Sequence, residues 1–111
     1  MTKVWYDSTN LHMNIKGHSG AGVSGEDLVC AGASTLAFTL VTVAKNSPEY
    51  RPSIEMSDAE IDVVLHPDED DRRDCMVAMD TIFIGYAMMS TTFPDNVSVT
   101  LIEEEDHAES E

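Results

Sequence analysis

Basic residues are scarce in this chain. Six lysines and arginines face 21 aspartates and glutamates, a formal charge of −15. Such a surface repels nucleic-acid phosphates and anionic lipid, so direct DNA or RNA binding is not expected, and basic partners are favoured. Cysteine is sparse too, with only Cys30 and Cys75. Long hydrophobic runs are missing: Ser, Thr and Gly interrupt the best stretch, Leu28 to Ala44, which argues against a membrane span. The opening Met1-Thr2-Lys3-Val4-Trp5-Tyr6-Asp7 lacks the charged-then-apolar layout of a signal peptide, so the expected compartment is the cytoplasm. Both cysteines are then expected as reduced thiols, leaving packing, metal binding or catalysis as their uses. There is no internal repeat and no interdomain linker.

What is present fits one small domain. A chain of 111 residues with 42% hydrophobic content can bury a modest core without covalent staples. The ordered domain is expected over residues 1–102. The remainder, Glu103-Glu104-Glu105-Asp106-His107-Ala108-Glu109-Ser110-Glu111, reads as a solvated, disordered acidic tail that serves solubility.

Alternation predicts strands over Lys3 to Tyr6 and Leu11 to Lys16, joined by the turn Asp7-Ser8-Thr9-Asn10. Four glycines then fall within the nine residues Gly17 to Gly25, marking a loop of unusual backbone. A helix follows over roughly Leu28 to Lys45, closed by Asn46-Ser47-Pro48. Its N-cap is either Asp27, or Ser24 with Asp27 completing a capping box. This helix is apolar or small nearly all round, so it needs cover on more than one side, from its own domain or from a second subunit.

Pro48 to Asp58 reads as an irregular connector, and Glu60 to His66 as a strand with Ile61, Val63 and Leu65 on one face. A second helix is expected from Glu69 to Ser90, with acidic residues at its positive end. Its Met76, Met79, Phe83 and Tyr86 recur at helical spacing, which is ordinary core filling, and Cys75 is assigned to the same core. A last strand covers Val97 to Ile102. The predicted order is strand, strand, helix, strand, helix, strand: a small α+β domain with two helices on a mainly antiparallel sheet.

One constellation carries chemistry. His18 at a strand end, a glycine-rich loop and Cys30 near a helix start lie within a few turns of chain. Free N–H groups and the helix dipole stabilise a thiolate at a helix N-terminus, and the same N–H groups can hold an oxyanion. A flexible loop can bring His18 over the sulfur to make an activated Cys–His pair. With Asp27 as N-cap, Cys30 is the third helical residue; with Ser24 as cap it lies almost two turns in, and the dipole contributes less. Asp27 and Ser34 share the helical face of Cys30. The competing reading makes Cys30 a small buried hydrophobe and the glycines only turns, and local physics leaves both open. A metal site is not expected: His18 and Cys30 cannot close a zinc shell alone, and His12, His66, His107 and Cys75 lack finger-like spacing. No cofactor is expected.

The run Gly17-His18-Ser19-Gly20, four residues, Gly25-Glu26-Asp27-Leu28-Val29-Cys30-Ala31, then Ser34 resembles the signature of the ribosomal-processing cysteine protease (Prp) family: Gly-His-x-Gly, a short loop, Gly-x-Asp-(Ile/Val/Leu)-Val-Cys-Ala and Ser. Ile84-Gly85-Tyr86 and Phe93-Pro94 resemble its C-terminal half. The resemblance implies a peptide hydrolase with Cys30 as nucleophile and His18 as base. Gly17, Asp27 and Ser34 would support the site, and a loop including Ser19, Gly20, Gly22 and Gly25 would move when substrate binds. It further implies a homodimer that removes the N-terminal extension of large-subunit ribosomal protein twenty-seven, a step in ribosome maturation. Ser19 replaces a common Ala, and Ala21-Gly22-Val23-Ser24 lacks the aromatic or charged residues frequent there, so substrate preference can differ. The alternatives are a non-catalytic acidic module that binds a basic ribosomal or assembly protein, and a divergent protease with another substrate.

Overall fold

A computed structural model describes residues 1–17 and 24–103, the side chains of residues 24–27 excepted. The chain runs β1 (Thr2–Asp7), β2 (His12–Lys16), α1 (Ser24–Lys45), a 3-10 turn (Pro48–Tyr50), β3 (Ser53–Ser57), β4 (Glu60–Val64), α2 (Glu69–Thr92) and β5 (Val97–Ile102). The strands form one sheet in the order β3-β4-β2-β1-β5. Pairings are antiparallel except β1 with β5, which is parallel.

Strand alternation decides which side of the sheet is covered. Val4, Tyr6, Met13, Ile15 and Val63 point to one face, where they meet Ala33, Ala37, Leu40, Val41 and Ala44 of α1 and Met79, Ile82 and Tyr86 of α2. Each full burial of a large side chain in this layer stabilises by roughly 1.5–3 kcal/mol. The opposite face carries Trp5, His12, Asn14, Glu60 and Asp62. There His12 Nε2 lies 2.8 Å from Asp62 Oδ1, and the Asn14 amide donates to both Asp62 and Glu60 at 2.8 Å. The Trp5 ring meets His12 edge-on at 4.6 Å.

The α+β class with two helices on a mainly antiparallel sheet is as expected, but one strand was missed. The supposed connector Pro48 to Asp58 contains the 3-10 turn and β3, whose Ile54 and Met56 alternate with Ser53, Glu55 and Ser57. Two apolar residues behind Pro52 are a weak period-2 signal, and pairing with β4 completes it. Leu11 also leaves the predicted strand. It closes the hairpin turn at φ +52, its side chain buried and its carbonyl accepting the Leu65 N–H at 3.0 Å. Within the Met stripe, Met79 and Tyr86 are buried and Phe83 packs against the core, whereas Met76 is exposed because it lies on the flank of α2.

Small residues let the helices approach. A Cβ on Gly85 would stand 2.8 Å from Leu36 Cδ2, and the neighbouring Tyr86 hydroxyl donates to the Ala33 carbonyl of α1 at 2.8 Å. Burial raises the Tyr86 pKa, so this buried phenol stays a donor.

Candidate active site

α1 begins at Ser24, which makes Cys30 its seventh residue. This is the later of the two registers. Of the two registers left open, the one with Cys30 in the first turn does not occur, and the N-terminal dipole acts on the thiol from nearly two turns away. Cys30 is partly exposed, while Cys75 is fully buried in α2. Burial pushes the Cys75 thiol up to about 11, helped by the Asp71, Asp74 and Glu49 carboxylates and opposed by Arg72. Core assignment of Cys75 is confirmed.

Ser34 follows Cys30 by one turn on the same helical face and lines a cleft of about 320 Å³. Ile15, Ala33 and Ala37 form its floor. Phe38 and Met56 stand on either side, Asp58 lines it from the β3–β4 turn, and Glu60 borders it at the start of β4 with its carboxylate turned to Asn14 on the other face of the sheet. The cleft thus runs between α1 and the hairpin whose first strand the sequence reading missed. The signal available for it was the alternation of Ile54 and Met56 followed by the polar turn Ser57-Asp58-Ala59-Glu60.

Gly17 opens into the same cleft at the end of β2. Its φ of +80 lies in the region that favours glycine, and a Cβ there would stand 2.6 Å from the Met1 carbonyl oxygen. Its N–H donates to the Ala59 carbonyl at 2.6 Å. Gly17 is therefore held between the N-terminus and the β3–β4 turn. His18, Ser19, Gly20 and Gly22 lie outside the described residues. Gly25 and Asp27 fall within the first turns of α1 as backbone, with side chains outside the description.

Two other histidines are described, and neither faces Cys30. His12 is on the sheet face away from the helices, paired with Asp62. His66 follows β4 beside the 3-10 turn that comes after α1, its Nδ1 3.0 Å from the Arg51 carbonyl. Cys30 to Lys45 spans about 22 Å of helix, so His66 is at the far end. Among the described residues no three His, Cys, Asp or Glu side chains group as metal ligands.

A two-layer α+β domain with a partly exposed thiol one turn from a cleft offers a nucleophile of the kind that thiol-dependent hydrolases use. A family profile described as cysteine protease Prp matches residues 1–98, and the chain belongs to that family. Its enzyme class is that of a cysteine protease. Solved structures agree in fold. SMU.848 from Streptococcus mutans is 20% identical over 92% of this chain and 92% of its own, with a TM-score of 0.71. The essential ribosomal processing protease Prp from S. aureus, solved with a substrate peptide, is 19% identical over 91% of this chain and 99% of its own, with a TM-score of 0.73. The same S. aureus protease with a covalently linked product peptide gives 20% identity, the same coverage and a TM-score of 0.75. No curated protein sequence matches the chain.

Proposed function

We propose that this chain is an endopeptidase in which Cys30 is the nucleophile and His18 the base, and that it removes the N-terminal extension of large-subunit ribosomal protein twenty-seven. The observation that carries the assignment is the contrast in exposure: Cys30 is reachable and Cys75 is not. His12 and His66 are both placed away from Cys30, which favours His18 as its partner. The Cys30 sulfur attacks the scissile carbonyl, and the thiol proton passes to His18. Collapse of the tetrahedral intermediate breaks the C–N bond as His18 protonates the leaving amine. Water, deprotonated by His18, then cleaves the thioester and restores the thiol. The overall charge of −15 suits a basic substrate.

The test is cleavage of a peptide spanning the extension junction, with products read by mass spectrometry beside Cys30→Ala and His18→Ala. Cleavage at one bond, lost in both variants, supports the reading. No cleavage with Cys30 selectively alkylated points to a different substrate. An inert Cys30 favours the binding module.

A homodimer is part of the same proposal. Leu28 and Phe38 of α1 are 69% and 55% exposed, and Val77 and Met88 of α2 are 56% and 67% exposed. Thr35, Thr39 and Thr81 return their hydroxyls to carbonyls four residues back, which leaves the outward helical layer short of free donors. On so acidic a chain, exposed apolar side chains on the helical layer suit a second copy. Sedimentation of Phe38→Glu against the parent protein tests it: a shift to monomer supports this face, and an unchanged dimer moves the interface elsewhere.

A further inference from the structure

The two edges of the sheet are built differently. β3 is guarded by Pro52 before it and carries Glu55 within it. β5, Val97-Ser98-Val99-Thr100-Leu101-Ile102, has no charge and no proline. Unprotected edges of this kind are ready to pair with another strand.

Hydrogen bonding shows which groups have no partner among the described residues. The Thr2 N–H donates to the Asn96 carbonyl, and the Ser8 N–H donates to the Ile102 carbonyl. The even-numbered residues of β5 therefore turn their backbone groups to β1, and the odd-numbered ones turn theirs outward. The Val97 N–H is taken by the Phe93 carbonyl. The N–H and C=O groups of Val99 and Leu101 face the open edge.

Beside the C-terminal half of this edge lies a cleft of about 420 Å³ between β5 and α2, lined by Met76, Phe83 and Leu101 among others. It sits at the end of the sheet opposite Cys30. Asp80 and Glu103 line it against one cation, Arg72, whose Nη2 donates to the Thr9 carbonyl at 2.7 Å. Asp80 accepts the Tyr6 hydroxyl at 2.8 Å, a neutral donor that leaves its charge in place.

We propose that β5 and the α2 cleft form a docking site for an extended basic segment of a partner protein, added to the sheet as a sixth strand. The partner's inward side chains alternate: apolar ones rest on Val99, Leu101 and Phe83, and a lysine or arginine on the same face meets Asp80. Charge selects this occupant. A second copy pairing antiparallel through β5 would bring Asp95 towards Glu103, and this chain's own acidic tail would lie against Asp80.

The probe is the blocked heptapeptide acetyl-Lys-Thr-Val-Thr-Val-Thr-Lys-amide, titrated into the ¹⁵N-labelled full chain, with a twin in which both lysines are glutamates. The expected result is saturable shifts centred on the Val99 and Leu101 amides with the lysine peptide alone. Val99→Pro removes an outward N–H without touching the β1 ladder and should weaken binding about tenfold. Asp80→Asn keeps an acceptor for Tyr6 and should weaken it about threefold, with a smaller salt dependence. Thermal unfolding of both variants establishes that they fold. Equal binding of the glutamate twin, shifts elsewhere, or none at millimolar peptide overturns the proposal. So does concentration-dependent protection of these amides without peptide, which would give the edge to a second copy.

Discussion

Cys30 and Cys75 occupy the same position in their helices, each the seventh residue from the start. Yet α1 offers its thiol to solvent and α2 seals its thiol in the core. Helix position therefore does not make a cysteine reactive. Burial is the main reason that the Cys75 thiol is pushed up to about 11, and the Asp71, Asp74 and Glu49 carboxylates add to it. For Cys30 the argument rests on access, on the cleft beginning one turn along at Ser34, and on family membership.

The largest expected effect follows from that contrast. Cys30→Ala should lower peptide cleavage by about 10³-fold or more, as removal of a nucleophile does. Cys75→Ala should leave kcat within about threefold while destabilising by roughly 1–2 kcal/mol through the lost packing. Steady-state kinetics and urea unfolding of the two variants check this. Comparable loss of activity in both would dissolve the distinction between the helices.

A second separation should appear in alkylation. At pH 8 a thiol with a pKa near 11 is ionised in only about one molecule in a thousand, and Cys75 is 0% exposed. Iodoacetamide should mark Cys30 alone in the folded protein and both cysteines in urea, as peptide mapping would show. Stability carries the matching signature. The folded Cys75 value lies above the ordinary 9.0. Between pH 9 and 11 the unfolded chain releases this proton while the folded chain keeps it. The contribution of Cys75 is thus fully present below pH 9 and declines as pH rises towards 11. Unfolding of the parent and Cys75→Ala across this window should show a steeper decline in the parent.

The sequence made the helices and four of the strands legible because their periods are long or their turns well marked. β5 was placed residue for residue between Asn96 and Glu103. β3 was hidden by Pro48 and Pro52 and by having only Ile54 and Met56 to show a period. The cleft was illegible with it, since Met56 and Glu60 belong to that hairpin. Cys30 could be singled out from its motif, but its depth in α1 could not, because Ser24 and Asp27 are both good caps. Tyr86 was read as core, which it is. Its bond to the Ala33 carbonyl depends on how two helices cross, and no local pattern contains that.

The approaches to the two helices give a third comparison. Entry to α1 passes Gly17 at φ +80, with the Met1 carbonyl where a Cβ would go. Entry to α2 passes Asp68, whose φ of −69 and ψ of 171 are extended backbone. Gly17→Ala should cost about 1–3 kcal/mol through strain and close contact. Asp68→Ala loses only an exposed pair with Arg51, about 0–1 kcal/mol. Thermal melts decide it. Equal losses would mean that Met1 moves aside to admit the added methyl group.

The finest test asks whether α2 helps to hold the helix that carries Cys30. The Tyr86 hydroxyl reaches the Ala33 carbonyl, three residues beyond Cys30, and nothing else in the ring changes in Tyr86→Phe. Loss of one buried, neutral hydrogen bond costs about 0.5–1.5 kcal/mol. That is the expected fall in urea stability. The second-order rate of Cys30 alkylation should stay within about twofold, because the bond fixes where α1 lies and does not touch the sulfur. A larger change in rate at unchanged fold would make Tyr86 a positioning residue for the thiol. The two helices would then be coupled, and the difference between their cysteines would depend on their crossing as well as on burial.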